Sequence, residues 1–153
     1  MADLRKYFYE IPTTVYRLRK NTKKEQNDMT KEVLIQTAAD SRNRAYHPYS
    51  DFAVGAALEC ADGSVFTGCN IENASYSLTI CAERTAAAKA VSEGHRQFTR
   101  IAVAGSGADP CIPCGACLQF LAEFCEDMEI ICVSSSGDFQ TYRLSELLPH
   151  VFR

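Results

Sequence analysis

Cys81-Ala82-Glu83-Arg84-Thr85-Ala86-Ala87-Ala88-Lys89-Ala90-Val91, followed about thirty residues later by Pro113-Cys114-Gly115-Ala116-Cys117, are the segments around which the chain organises itself. Thr85 to Val91 is a run of strong helix formers with Gly94 as its stop, so Cys81 stands where a helix opens. Cys114 and Cys117 are three apart and share one face of the first turn of a second helix. Pro113 suits the first position of that helix, where an amide would have no partner. Leu118, Leu121, Phe124 and Cys125 continue it as an apolar stripe. The spacing predicts two helix N-termini, each presenting sulfur.

Residues two apart on a helix point to nearly opposite sides. Cys81 and Glu83 therefore address one ion only if it lies ahead of the helix end, and a site clasped between two N-termini meets that condition. The exposed amides at each tip favour thiolate over thiol. Three sulfurs, one open position for water and a carboxylate beside it are the parts of a catalytic zinc site, one ion per chain. Three thiolates leave Zn²⁺ with a net charge of minus one, which weakens it as a Lewis acid. Arg84 is placed to return positive charge by hydrogen bonding to a thiolate.

Outward from these helices, Thr30 reads as an N-cap, with Met29 and Leu34 stapling the entry. Val33, Leu34, Thr37, Ala38, Ser41 and Ala45 give that first helix one apolar face, and His47-Pro48-Tyr49-Ser50 ends it. Residues 52–60 and 64–71 are rich in strand formers and flank Ala61-Asp62-Gly63, the pattern of a hairpin. Residues 100–104 and 129–134 read as buried strands, each following a helix. A fifth strand at 139–143 and a short helix at 145–148 complete the set. The fold expected is α/β, three layers of α/β/α around a mixed sheet of about five strands.

The chain has 153 residues, enough for one domain with a real core. No apolar run approaches the roughly 20 residues that span a bilayer, and the first residues lack the apolar centre of a secretory signal. A soluble, cytoplasmic protein is expected. A net charge of −3 argues against a general polyanion binder, so nucleic acid is not the expected partner. The eight cysteines include three separated by two-residue gaps, which reads as ligation rather than disulfide bonding. Residues 1–28 carry Arg5, Lys6, Arg17, Arg19, Lys20, Lys23 and Lys24 without a clean period, and are expected to be a poorly ordered extension of the domain at 29–153. Asp3 and Glu10 interrupt what would otherwise resemble a mitochondrial address.

The Cys-Ala-Glu and Pro-Cys-x-x-Cys elements resemble those of zinc deaminases. Together with Asn70-Ile71-Glu72-Asn73-Ala74 and Leu147-Leu148-Pro149-x-x-Phe152, they are similar to the small homotetrameric cytidine deaminases from about Thr30 onward. The resemblance implies hydrolysis of cytidine and 2′-deoxycytidine in pyrimidine salvage. It assigns Cys81, Cys114 and Cys117 to zinc, and Glu83 to proton transfer from the nucleophilic water to N3 of the base and then to departing ammonia. It assigns Asn70 and Glu72 to the ribose hydroxyls and Phe52 to the face of the base. Ala74, Tyr76, Ala82 and Phe152 match further substrate-binding positions, some reaching into a neighbouring subunit, and Arg84 and Gln119 match residues behind the metal. Leu118 stands where arginine is common in the family, and only Arg153 follows Phe152 to anchor its ring.

Other readings of the same residues are a relative acting on a blasticidin-type amino-heterocycle, a polynucleotide deaminase, and a structural zinc module with a fourth protein ligand. Cys111-x-x-Cys114-x-x-Cys117 echoes iron–sulfur spacing but wants a fourth cysteine, and Cys114 with Cys117 echoes a redox pair. Cys60, Cys69, Cys125 and Cys132 fall in apolar patterns and read as small core residues.

Overall fold

The computed structural model describes residues 30–152. The extension read at 1–28 and the staple contact of Met29 lie outside the described residues. Within them, five strands form one mixed sheet in the order β2-β1-β3-β4-β5. Strands β1 (Val54–Cys60) and β2 (Val65–Cys69) make the expected hairpin, and β3 (Phe98–Gly105) pairs with β1 in antiparallel register. The β3–β4 pair is parallel, with β4 at Glu129–Val133 and helix α3 (Gly115–Ala122) in the crossover between them. Strand β5 (Phe139–Arg143) closes the far edge antiparallel to β4.

Alternation along the central strands separates two cores. Ala56, Leu58, Ile101, Val103, Ile130 and Cys132 face α3 and helix α2 (Ala82–Ser92). Ala57, Ala102, Ala104, Ile131 and Val133 face helix α1 (Lys31–Arg42), which covers them with Leu34 and Ala38. Three layers of α/β/α result, as the alternation of elements implies. Small residues dominate the α1 side because that helix lies very close to the sheet. A Cβ at Gly55 would collide with Ala38 O and Arg42 N, and would come within 2.6 Å of Ser41 Oγ.

Several local expectations are corrected. Helix α1 is capped by the Thr30 hydroxyl on Val33 N as predicted, but it ends at Arg42 rather than running on to His47-Pro48. Asn43, Arg44 and Ala45 each donate to a carbonyl three residues back, so the last turns tighten and Ala45 leaves the helix. Val33 is exposed rather than part of the buried face, which narrows to Leu34, Ala38 and Ser41. In the crossover, Cys114 is the N-cap of α3 and Pro113 lies one residue ahead of it, not at the first helical position. The stripe leaves the helix after Ala122, although Phe124 still packs on the core. The last helix, α4, spans Leu144–Leu147, one residue ahead of the predicted start.

Candidate metal centre and cleft

Cys81 is the N-cap of α2 and Cys114 the N-cap of α3, with Cys117 on the first turn behind it. Both helices lie on the same face of the sheet, so their N-terminal tips converge. The sulfurs of Cys81, Cys114 and Cys117 all lie within 4.8 Å of one another. Tetrahedral zinc with Zn–S bonds of about 2.3 Å requires sulfurs about 3.8 Å apart, so the trio suits that ion. Among the described residues no other group of three or more cysteine, histidine or carboxylate side chains gathers in this way. Cys111 stands outside the cluster, which breaks the iron–sulfur spacing.

Arg84 brings a positive charge beside the sulfurs. Its Nη2 lies 3.5 Å from Cys81 Sγ and 3.4 Å from the carbonyl of Thr79. Its Nε is buried without a hydrogen-bond partner, leaving one more N–H beside the cluster. The Cys81 thiol is brought down to about 5, first by its hydrogen bond with Cys117 and then by Arg84, while the same bond pushes Cys117 upward. The site therefore favours thiolate at Cys81, the form a metal takes.

Glu83 occupies the first turn of α2 and is almost fully buried. Burial raises its carboxyl to about 7, and the neighbouring Cys81 charge adds to the effect. It lines a cleft of about 270 Å³ with Cys81, Ala82 and Cys114. Phe52, Asn70, Glu72 and Tyr76 line the same space. That volume admits a small molecule and little more. A somewhat larger groove of about 330 Å³ opens near Asp62 and His95, but it lies at the Cys60 end of β1, away from the sulfurs.

Asn70 and Glu72 are buried polar residues at the end of β2, and both already hold the segment that leads into β1. Asn70 accepts from Val54 N at 2.8 Å and donates to Phe52 O at 2.9 Å. The Glu72 carboxylate accepts from Tyr49 N at 2.9 Å, from Ser50 N at 3.2 Å and from the Ser50 hydroxyl. These bonds, led by the Ser50 hydroxyl, keep Glu72 below its ordinary range and hence ionised. Asp51 turns the chain between them with φ of 54°, a conformation that Asp tolerates better than most residues.

The cleft of this chain does not include Ala74 or Phe152, both of which are exposed. Gln119 lies in α3, two residues beyond Cys117. Its side-chain amide grips the main chain of Phe152 from both sides, donating to the carbonyl at 2.8 Å and accepting from N–H at 3.1 Å. Gln119 thus holds the main chain of Phe152, while its ring stays exposed. Ser50, Thr79, Cys111 and Ile112 also line the cleft. Sequence reasoning gives Ser50, Thr79 and Ile112 no role in the site and weighs Cys111 only as part of an iron–sulfur run; Ser50, in the turn-forming Pro48-Tyr49-Ser50, carries a local signal.

Comparison with known proteins agrees with this geometry. Residues 28–134 match the family described as the cytidine and deoxycytidylate deaminase zinc-binding region. The chain is 52% identical over 125 residues to a cytidine deaminase of Halalkalibacterium halodurans, covering 81% of this chain and 95% of that one. It is 51% identical over 124 residues to a probable cytidine deaminase of Dictyostelium discoideum, covering 79% and 82% respectively. The crystal structure of cytidine deaminase from Burkholderia pseudomallei superposes with a TM-score of 0.78 at 46% identity, covering 81% of this chain and all of that one. A sulfur trio at two helix tips, a buried carboxyl beside it, and these likenesses over four-fifths of its length establish that the chain belongs to the cytidine deaminase family.

Proposed function

We propose that the chain hydrolyses the exocyclic amine of cytidine and 2′-deoxycytidine, giving uridine and 2′-deoxyuridine in pyrimidine salvage. The observation that carries this reading is the meeting, in one small cleft, of Cys81 and Cys114 from the sulfur trio, the buried Glu83 carboxyl and the Phe52 ring.

Zinc held by Cys81, Cys114 and Cys117 would supply Lewis acidity and a water of lowered pKa. Glu83 takes a proton from the attacking water as the C4–O bond forms, and delivers it to N3 of the pyrimidine. It then carries the second proton to the amine, so that the C4–N bond breaks and ammonia leaves. A carboxyl that both accepts and returns protons works best when its pKa stands near the operating pH, and burial moves Glu83 in that direction.

Asn70 and Glu72 retain capacity for a diol after securing the loop. Asn70 has one N–H left, and the Glu72 oxygens have room for one more donor beyond their three. Phe52 packs on the base, and the helix tip at Ala82 closes the cleft beneath it. The direct test is zinc content together with ultraviolet loss of cytidine in one purified sample. Zinc without turnover would leave only a metal-binding module, and equal use of free cytosine would count against the ribose contacts.

Arg84→Ala is expected to retain zinc and to slow turnover by about ten- to a hundredfold, the usual range for removing a partner of a metal ligand. The pH dependence of rate should move with it, because the thiolates lose their compensating charge; an unmoved profile would show that Arg84 does not tune the site.

The assembly is a homotetramer with sites shared between subunits. Tyr76 is 72% and Phe152 85% exposed, and Leu78 and Ile80 lie open nearby in sequence. Exposed large apolar side chains of this kind support contact with another chain. Activity should fall on dilution as subunits separate; full activity in a demonstrated monomer would contradict shared sites. The eight free thiols fit the reducing cytoplasm, and among the described residues no helix is long and apolar enough to cross a membrane. Fractionation of cells checks the location.

A further inference from the structure

Phe52 has one side toward the cleft and another against glycine. A Cβ built on Gly107 would lie 3.1 Å from Phe52 Cε2 and 3.7 Å from Cζ, and would meet nothing else beyond its chain neighbours within 4 Å. A Cβ on Gly105 would lie 3.1 Å from Phe52 Cζ, but would also come within 2.8 Å of Cys111 Cβ. The ring edge therefore rests where two side chains are missing. Only at Gly107 does the ring alone occupy the vacated space.

Neither backbone is free to withdraw. Phe52 donates its N–H to Ser50 Oγ at 3.1 Å and its carbonyl accepts from Asn70. Ala53 exchanges two bonds with Ser106, N–H to Oγ at 3.0 Å and carbonyl from Ser106 N at 2.9 Å. On the other side, the Gly107 carbonyl accepts from Ser135 N at 2.8 Å, and the Gly105 carbonyl accepts from the Arg42 guanidinium. Phe52 is 39% exposed, so the soft direction for its ring is into the cleft.

We propose that Gly107 is a positioning residue: its missing side chain sets how far the Phe52 ring stands back, and so the clearance left for the substrate. The proposal rests on the nucleoside reading above for its kinetic consequence, although the ring contact itself does not. Adding one methyl at position 107 drives the ring toward the substrate without touching the sulfurs or Glu83.

The test is a cycle of wild type, Gly107→Ala, Phe52→Leu and the double variant. Cytidine kinetics and calorimetric binding of uridine, the unreactive product, are measured for each. Gly107→Ala should raise KM and the uridine Kd by about three- to tenfold, the scale of one misplaced methyl group in a packed site, with kcat little changed. In the Phe52→Leu background the same change should be silent, because the ring that transmits it is gone. An equal shift in both backgrounds, or none in either, overturns the proposal. If the wild type neither deaminates cytidine nor binds uridine, the nucleoside reading fails, and melting temperatures of the same four proteins still test the contact. Any loss on Gly107→Ala, including outright failure to fold, must then be recovered with Phe52→Leu; a loss that persists places the collision elsewhere and refutes the proposal.

Discussion

Glu83→Gln is expected to bind zinc as the wild type does and to lose about 10² to 10⁴ in turnover, the contribution of a positioned acid–base group. The substitution keeps the shape of the side chain and its place on the first turn of α2, where it lines the cleft beside Cys81. It removes only the ability to take and return a proton. Stability supplies a second reading of the same variant. Glu83 is buried and its carboxyl is pushed up to about 7, so folding the ionised form carries a desolvation cost. A neutral amide of equal size avoids that cost, and the melting temperature at neutral pH should hold or rise. A group maintained for packing shows the reverse pattern, with activity kept and stability lost. Zinc analysis, cytidine absorbance and thermal melting on one preparation separate the two, and substantial retained turnover would remove Glu83 from the proton path.

The Cys114 and Cys117 half of the sulfur trio can be read from the chain because its logic is local. An N-cap and a residue three places on share one side of a helix tip, whatever the rest of the molecule does, and the structure seats Cys114 and Cys117 at those positions. Strand and helix order is readable for a similar reason, since alternation in β1 and β3 and the alanine-rich run of α2 are continuous patterns. The end of α1 is not. It depends on Gly55 and Ser41, where a strand fifteen residues away presses against the helix and Ser41 Oγ reaches toward Ala56 O at 3.3 Å. The partners of Glu72 lie 22 and 23 residues earlier, and Gln119 meets Phe152 across 33 residues. No periodicity encodes such contacts. They arise only once the sheet has brought distant segments together, which is why the grip of Gln119 on the main chain of Phe152 has no signal in the sequence.

Gly68→Ala is expected to damage fold and chemistry together, because at this point the two are one contact. Gly68 lies in β2 directly beneath the first turns of α2. A Cβ there would collide with Ala82 O and lie 2.5 Å from Ala86 N and 3.0 Å from Thr85 Cβ. Two of these neighbours are backbone atoms, which cannot rotate aside as a side chain can, and Ser41 Oγ binds the Gly68 carbonyl at 3.0 Å. The helix must therefore lift, and it carries Cys81 at its cap and Glu83 in its first turn. Overpacking of this kind costs about 1–3 kcal/mol, a fall of several degrees in melting temperature for a domain of this size. Displacing a catalytic group by about 1 Å can cost a hundredfold in rate, so turnover should fall by about ten- to a hundredfold and zinc content should drop as Cys81 moves from its partners. Gly63→Ala is the control. Gly63 sits in the β1–β2 turn with φ of 83° and nothing within 4 Å of its would-be Cβ, so alanine there strains the backbone and lowers stability without moving α2. If Gly68→Ala loses only stability, with turnover per folded molecule equal to that of Gly63→Ala, then α2 adapts without disturbing its tip, and the seat on β2 does not set the geometry of the site.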